Sequence, residues 1–173
     1  FYDFSPICYK VCQCSHIVYL VSKYSMQLNF KFVQTNVLCY EESDKCKLIQ
    51  VICDKVEQLL SLPESVSIEF TPMAPHTYGD TLIDYKNQTK IRLNKDLQIN
   101  DIMIPLVHEL IHLHQMHIGQ LMITHAGVYV WEKQTYEVDV TQMMYTDYLR
   151  LPWEADVADK QPKLMEEILK SYR

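Results

Sequence analysis

Glycine is scarce in this 173-residue chain, which has only three glycines. Because glycine supplies tight turns with positive φ, this scarcity favours helices over an all-β sandwich. Long apolar runs are also lacking, and no stretch approaches the roughly 20 residues that a membrane-spanning helix needs. There is no excess of basic residues either, since the formal net charge is -6. Phosphate binding needs clustered positive charge, so we expect no nucleic-acid partner. Because long apolar runs are lacking, we also expect no membrane span.

The rest of the composition is ordinary for a folded protein, with 48% hydrophobic and 22% charged residues. This length supports one well-cored domain. The six cysteines are few for a chain with enough apolar residues to form a core, so disulfide bonds are not required. We therefore expect reduced thiols and a cytoplasmic location, although the start at Phe1 leaves secretion open. The sequence does not fix an oligomeric state, and we treat the chain as a monomer.

Hydrophobic periodicity predicts an α+β fold, with a small, mostly antiparallel sheet packed by helices. The predicted elements, in chain order, are a helix at 15–25, strands at 27–34 and 36–41, a helix at 43–62, strands at 65–70, 81–85 and 90–94, a helix from 101 or 104 to 117, a hairpin at 127–140, and helices at 151–161 and 162–172. The strands at 81–85 and 90–94 form a hairpin. We divide this single domain, 1–173, into an N-terminal extension (1–42) without an assigned role, a core (43–162) and a C-terminal helix (162–173).

The third predicted helix, which ends at 117, carries a metal-binding pattern, "HELIH" at residues 108–112. Residues four apart lie one turn apart on the same face of a helix, so His108 and His112 can converge on one zinc ion. Glu109 lies about 100° around the helix, where it can reach a water at the metal without binding the metal itself. The pattern therefore predicts two metal ligands and a base.

The neighbouring histidines do not complete this site. On a helical wheel His114 and His117 lie about 240° and about 180° from His108, whereas Gln115 lies at about 340°. The extended metzincin motif HExxHxxGxxH also fails, because it requires glycine and histidine where this chain has Gln115 and Ile118. A catalytic zinc site uses three protein ligands and a water, so a third ligand is expected further along the chain.

Six downstream side chains have the chemistry of a third ligand. They are His125, Asp139, Asp147, Glu154, Asp156 and Asp159. Glu154 is distinguished by its setting, because it follows Pro152 and Trp153 and would be costly to bury without a positive partner. A glutamate in the first turn of a helix is also favoured by the helix dipole without any metal, so the residues alone leave its role open.

The order of these segments resembles a family of proteases. The hairpin "TLIDYKNQTKIRLN", the helix "IPLVHELIHLHQ" and the later "YLRLPWEADVAD" resemble the zincin metallopeptidases of the gluzincin type. In particular they resemble the short ImmA/IrrE-like and phage or mobile-element zincins, over residues 43–162. The resemblance implies a zincin-like fold in which His108, His112 and Glu154 bind one zinc ion per chain and Glu109 is the general base.

The resemblance also implies a reaction, the hydrolysis of peptide bonds. Zinc polarises the substrate carbonyl and activates a water, whose proton Glu109 takes and later passes to the leaving amine. A peptide or protein substrate is expected to add as a strand along "TLIDY" (81–85). The alternative is a catalytically silent zincin-fold protein, stabilised by zinc, that acts as a binding or regulatory protein. The presence of Glu109 favours the enzyme.

Two supporting roles have several candidates. Larger gluzincins carry an aspartate four residues after the ligand glutamate, and it supports a zinc histidine. This chain has Ala158 at that position, with Asp156 and Asp159 on either side as the candidates for that support. An oxyanion donor is also expected, and the candidates by position are His125, Tyr136, Tyr145 and Tyr148. His76, in the loop before the hairpin, is expected to be a solvated histidine.

Overall fold

The computed structural model describes residues 17–18, 27–32, 40–74, 76–83, 89–125, 127–139 and 142–170. In chain order the elements are β1 (Ile17–Val18), β2 (Gln27–Phe32), α1 (Tyr40–Leu59), β3 (Ser65–Thr71), β4 (Gly79–Ile83), β5 (Thr89–Asn94), a 3₁₀ turn (Ile99–Asp101), α2 (Met103–His117), β6 (Leu121–His125), β7 (Val128–Trp131), β8 (Gln134–Glu137), α3 (Tyr145–Tyr148) and α4 (Pro152–Lys170). This mixture confirms the predicted α+β class. Within the described ranges, no helix is both long and apolar enough to cross a bilayer.

Five strands form the main sheet, in the order β1-β2-β3-β5-β4. The outer strands β1 and β4 run antiparallel to their neighbours, and β6, β7 and β8 form a second sheet that is antiparallel throughout. The predicted antiparallel character therefore holds for most pairings, but β2, β3 and β5 are parallel. For β2 and β3 the reason is that α1 connects them as a crossover, and a crossover of this kind joins parallel strands. Strand β5 lies next to β3 because the intervening strand β4 takes the edge of the sheet and runs antiparallel to β5.

Two predicted N-terminal elements differ from the structure. Ile17 and Val18 pair with β2 as a strand, in place of the helix predicted at 15–25. Tyr40 and the residue after it belong to α1, in place of the strand predicted at 36–41. Short apolar segments do not distinguish helix from strand by periodicity, which explains both errors. The other residues of these two segments lie outside the described ranges. The strand predicted at 27–34 is confirmed over β2.

A main apolar core joins the parallel strands to α1, α2 and α4. The alternation predicted for β3 is confirmed, since Val66, Ile68 and Phe70 are buried in this core. The helices contribute buried aliphatic side chains to it, among them Ile49, Ile52 and Val56 from α1, Leu106, Leu110 and Ile111 from α2, and Val157, Leu164 and Ile168 from α4. This packing fixes α2 between the sheet and α4.

A smaller apolar cluster lies between the second sheet and the start of α4. Trp131 of β7 and Trp153 of α4 are buried in it. The Tyr129 ring stacks on Trp153 at 4.8 Å between centroids, and the Tyr136 ring meets Trp153 edge-on at 5.6 Å. The first turn of α4 is therefore anchored to the second sheet through Trp153.

Helix α2 ends where its sequence predicts. Gly119 has a φ of +72°, a conformation that glycine adopts without strain. The Gly119 N–H donates to the Met116 carbonyl at 3.1 Å, and the Gln120 N–H donates to the Gln115 carbonyl at 2.8 Å. This is a Schellman motif, which satisfies the last carbonyls of the helix. Pro105 lies in the first turn, where its missing N–H is tolerated.

Helix α4 continues through Pro162, so the separate C-terminal helix predicted over 162–173 was wrong. Proline removes one hydrogen bond to the carbonyl four residues earlier, and for that reason a proline usually ends a helix. Here Val157 precedes Pro162 while Leu164 and Ile168 follow it, and all three apolar side chains are buried in the main core. Burial on both sides of the proline favours one continuous helix.

Candidate metal centre

His108, His112 and Glu154 lie together where α2 packs against the first turn of α4. The Nε2 atoms of the two histidines are 3.1 Å apart. Glu154 Oε1 lies 3.2 Å from His112 Nε2, and Glu154 Oε2 lies 3.5 Å from His108 Nε2. Their ligand atoms all lie within 4.8 Å of one another. In the part of the chain that the structure describes, no other group of three or more histidine, cysteine, aspartate or glutamate side chains converges in this way. The structure thus brings together the three residues predicted as zinc ligands.

The polar atoms at the centre of this group fit a metal ion better than they fit one another. Glu154 Oε2 is buried and has no hydrogen-bond partner, since His108 Nε2 at 3.5 Å is too distant for a good hydrogen bond. The two facing imidazole nitrogens can form at most one hydrogen bond between them. A divalent cation would bind both nitrogens and the carboxylate, and two histidines with one glutamate form a ligand set of catalytic zinc sites.

The site opens towards solvent on the side of His108. The His108 side chain keeps 30% of its surface exposed, whereas the His112 and Glu154 side chains keep 10% and 2%. A catalytic metal site needs one open position for water and substrate, and a purely structural site does not. The unequal exposure of the three side chains therefore suits a site with access from one side.

Protonation couples Glu154 to the two histidines. Burial by itself raises the pKa of Glu154, but both histidines and the Tyr148 hydroxyl outweigh it and hold that pKa well below its ordinary value. Burial by itself lowers the pKa of His112, but the carboxylates of Glu154 and Glu109 outweigh it and raise that pKa to about 9. Without metal the pair is an imidazolium against a carboxylate at neutral pH, so metal binding must displace a proton.

Glu109 follows His108 on α2 and is held by the edge strand β4. The Thr81 hydroxyl donates to Glu109 Oε2 at 2.8 Å, and the Glu109 side chain is buried. Burial raises the pKa of Glu109, while His112, His108 and the Thr81 hydrogen bond partly oppose that rise. A buried carboxylate with a raised pKa, next to a metal-binding group, has the properties of a general base.

Gly79 provides the space that Glu109 occupies. A Cβ atom at this position would lie 3.2 Å from Glu109 Cγ, 3.1 Å from the Arg92 carbonyl oxygen and 3.2 Å from a Leu93 methyl group. Such contacts are tighter than ordinary van der Waals contact. The glycine therefore allows β4 to approach α2 closely enough for the Thr81 hydroxyl to reach the Glu109 carboxylate.

Tyr148, one of the four candidates for an oxyanion donor, contacts the candidate ligand Glu154. Its hydroxyl donates to Glu154 Oε1 at 2.6 Å, and burial together with that carboxylate raises its pKa. Tyr136 packs against Trp153, and Tyr145 is exposed. The fourth candidate, His125, has its side chain outside the described part of the structure. The geometry therefore gives Tyr148 a role in orienting Glu154 and leaves the oxyanion donor unassigned.

The other predicted candidates lie away from the metal-binding group. Asp147 pairs with Arg150, and Asp159 pairs with Lys163 on its own helix. Asp139 is also not part of the converging group. As the helical wheel predicts, His114 points elsewhere and donates from Nδ1 to the Ser61 carbonyl at 2.8 Å, and His117 is exposed. His76 is exposed as expected.

Gln115, like Thr81, is a residue at this site whose role the sequence did not reveal. Its side chain is fully buried, and its Oε1 lies 2.9 Å from His112 Nδ1. Its Nε2 lies 3.0 Å from the Trp153 carbonyl and 2.8 Å from Asp156 Oδ2. Its position at about 340° on the wheel was the available signal, because that angle places it on the same face as the two zinc-ligand candidates. Of the two aspartates considered as supports, only Asp156 contacts this network.

Comparisons with protein-family models, with curated proteins and with solved structures found no match for this chain. The chemistry of the site is thus read from its own side chains. They provide two imidazole nitrogens and a carboxylate around one point, with a second carboxylate, Glu109, beside it. This arrangement can hold a divalent cation and can accept a proton next to it.

Proposed function

We propose that this chain is a zinc-dependent metallopeptidase with a zincin-like fold, in which His108, His112 and Glu154 hold one zinc ion. The observation that carries the proposal is the convergence of an HExxH helix with a buried glutamate of a later helix, one of whose carboxylate oxygens has no hydrogen-bond partner. When bound, zinc would polarise the substrate carbonyl and lower the pKa of a water to about 7.

Glu109 supplies the proton transfer that peptide hydrolysis requires. In the proposed reaction its carboxylate takes a proton from the attacking water and passes it to the leaving nitrogen as the peptide bond breaks. Its raised pKa supports this role, because a base that is too weakly basic would not accept the proton. The Thr81 hydrogen bond holds one carboxylate oxygen, which fixes the direction of the other.

Strand β4 offers a place for an extended substrate. It is the last strand of the main sheet and pairs on one side with β5, and no strand among the described residues pairs with its other side. A peptide can add to such an edge through main-chain hydrogen bonds. Because Thr81 of β4 contacts Glu109, a peptide on this edge would lie beside the proposed base. This placement supports a peptide or protein as the substrate.

The proposal is tested by measuring zinc content and cleavage on the same purified samples. Protein from cells grown with zinc is analysed for its elements, and it is then incubated with a complex peptide library whose products are identified by mass spectrometry. We expect about one zinc per chain and new peptide termini from the native sequence. Glu109→Gln should keep zinc and lose cleavage, whereas Glu154→Gln should lose most of the zinc.

Asp159→Asn is the matched control for these variants, because Asp159 is an exposed carboxylate on the same helix as Glu154 and pairs only with Lys163 in the contacts described. It should keep both zinc and cleavage. Absence of zinc from the native chain would contradict the metal centre. Zinc without any cleavage would instead favour the catalytically silent, metal-stabilised protein. Cleavage that survives Glu109→Gln would contradict the assigned base.

A further inference from the structure

We propose that Gln115 is a positioning residue that determines which nitrogen of His112 faces the metal, and that Asp156 in turn fixes the orientation of Gln115. The inference rests on the proposed metal centre and extends it to residues that bind no metal themselves. The Gln115 amide is fully buried and forms hydrogen bonds with residues of both α2 and α4.

The orientation of the Gln115 amide is fixed by its two partners on α4. A side-chain amide has one end that only accepts hydrogen bonds and one end that only donates them. One end of Gln115 lies 3.0 Å from the Trp153 carbonyl and 2.8 Å from an Asp156 carboxylate oxygen, which are both acceptors. That end must therefore be the NH₂ group, and it uses both of its hydrogens. The amide oxygen is left facing His112.

This orientation determines the tautomer of His112. The Gln115 oxygen lies 2.9 Å from His112 Nδ1 and can only accept, so Nδ1 must carry a hydrogen and donate it. In a neutral imidazole the other nitrogen then has no hydrogen and presents its lone pair. That nitrogen, Nε2, is the atom that faces His108 and Glu154. Gln115 thus selects the one neutral tautomer in which His112 can bind a metal at this point.

Asp156 fits this role by charge and by position. Its Oδ2 accepts from the Lys160 ammonium at 2.6 Å as well as from the Gln115 amide at 2.8 Å. The contacts therefore run from Lys160 through Asp156 and Gln115 to His112. The Trp153 carbonyl belongs to the peptide bond that leads into Glu154, so the same amide also ties the backbone beside the third ligand to the second ligand. Asp159 takes no part, because it pairs with Lys163.

The neutral amide takes the place of a direct carboxylate–histidine hydrogen bond. A carboxylate in contact with a metal-bound imidazole fixes its ring and also adds negative charge to it. Gln115 fixes the ring in the same way but carries no charge, and the Asp156 charge lies one side chain further away. The arrangement therefore controls orientation with a weaker electrostatic effect on the metal.

The test uses Gln115→Leu, which has nearly the same size but no polar atoms. Two controls accompany it. Ile111→Val removes one methyl group from the main core on the same helix, and Asp159→Asn removes an exposed carboxylate from α4. For each chain the zinc dissociation constant and the free energy of unfolding without metal are measured. Nitrogen-15 spectra of labelled histidine then report the tautomer of His112 in the metal-free chain at alkaline pH, where the imidazole is neutral.

In the metal-free native chain at alkaline pH, we expect a hydrogen on Nδ1 of His112 and none on Nε2. Gln115→Leu should lose this preference and weaken zinc binding by about 10- to 100-fold, the usual effect of removing a partner of a metal-binding histidine. Ile111→Val and Asp159→Asn should keep both the tautomer and the affinity. Asp156→Ala is a second variant, at a partly exposed position. It should weaken the tautomer preference and the zinc affinity as well, but by less than Gln115→Leu does.

An unchanged tautomer in Gln115→Leu would overturn the inference, as would zinc binding at native strength. The inference would also be overturned if Ile111→Val, at the same loss of stability as Gln115→Leu, lost as much zinc affinity. The effect would then come from general destabilisation. The tautomer is read without metal, so this result is independent of zinc binding by the native chain. Failure of the proposed function would be seen separately, as a native chain that binds no zinc while its His112 tautomer is as expected.

Discussion

At the scale of single residues, Glu109 contacts strand β4 at two positions. Thr81 donates its hydroxyl hydrogen to the carboxylate, and Gly79 leaves room for the Glu109 side chain. Burial raises the pKa of this carboxylate and the Thr81 hydrogen bond lowers it. His112 and His108 also lower it, so the balance of burial against these three partners sets the pH at which the proposed base is ionised.

We expect Thr81→Val to raise the pKa of Glu109 further, because it removes a hydrogen bond that stabilises the charged form. The acidic limb of the pH–rate profile should move to higher pH, and turnover at neutral pH should fall by about 2- to 10-fold. Zinc content should not change. Thr124→Val, the same substitution on β6, is the control, since its hydroxyl donates to the Val128 carbonyl away from the site. An acidic limb that stays in place would contradict the role of Thr81.

The histidine and glutamate pair predicts how the metal-free chain responds to pH. The pKa of His112 is raised from 6.5 to about 9, so its contribution to stability is complete below 6.5 and is lost as the pH rises through 9. The pKa of Glu154 is lowered, so its contribution is present above the ordinary value of 4.5 and is lost as the pH falls. With a chelator present, stability should therefore be greatest between these limits.

Urea unfolding of the metal-free chain across this range checks the prediction. The free energy of unfolding should fall by at most about 3 kcal/mol between pH 6.5, the ordinary pKa of His112, and pH 9, near its pKa in the folded chain. In His112→Gln this decrease should disappear. With excess zinc the sign should reverse, because metal binding displaces the proton and strengthens as the pH rises. A native chain whose metal-free stability is constant from pH 6.5 to 9 would contradict the coupling.

The local part of the site could be predicted from the sequence, and the part made by tertiary contacts could not. The spacing of His108 and His112 follows from helix geometry, and the apolar setting of Glu154 distinguished it among six candidates. Its role as the third ligand was implied only by the family resemblance. Thr81 and Gln115 gain their roles from partners that lie 28 and 38 to 41 residues away along the chain. No local pattern carries that information.

At the scale of elements, the boundaries that depend on local chemistry were predictable. Gly119 ends α2 through a Schellman motif, and β4 and β5 pair antiparallel as predicted. Helix α4 shows the opposite case, because Pro162 locally predicts a break and the main core holds the helix together on both sides of it. Tertiary packing overrides helix propensity at this position.

We expect Pro162→Ala to stabilise the chain. Alanine restores the N–H that can donate to the carbonyl four residues earlier, and Pro162 is exposed, so no packing is lost. The gain should be about 1–3 kcal/mol in the free energy of unfolding, reduced by the greater flexibility of the unfolded chain. Urea denaturation measures it, and Lys163→Ala at the next exposed position is the control. A less stable Pro162→Ala chain would show that the helix is not continuous there.

At the scale of the whole molecule, the candidate metal centre lies where two apolar clusters meet. Helix α2 is fixed by the main core, and Trp153 fixes the first turn of α4 to the second sheet. Glu154 follows Trp153, so a metal bound by His108, His112 and Glu154 would join α2 to α4. The parallel centre of the main sheet was not predicted, because it depends on the crossover through α1 and on the position of β4 at the edge, and not on any single strand.

The central claim is that zinc is bound by His108, His112 and Glu154, and a crystal structure of protein grown with zinc tests it most directly. Anomalous scattering measured on both sides of the zinc absorption edge locates the ion independently of the protein coordinates. We expect one peak per chain, about 2.0–2.2 Å from Nε2 of both histidines and from a carboxylate oxygen of Glu154. Zinc bound elsewhere, or no peak between these three side chains, would contradict it.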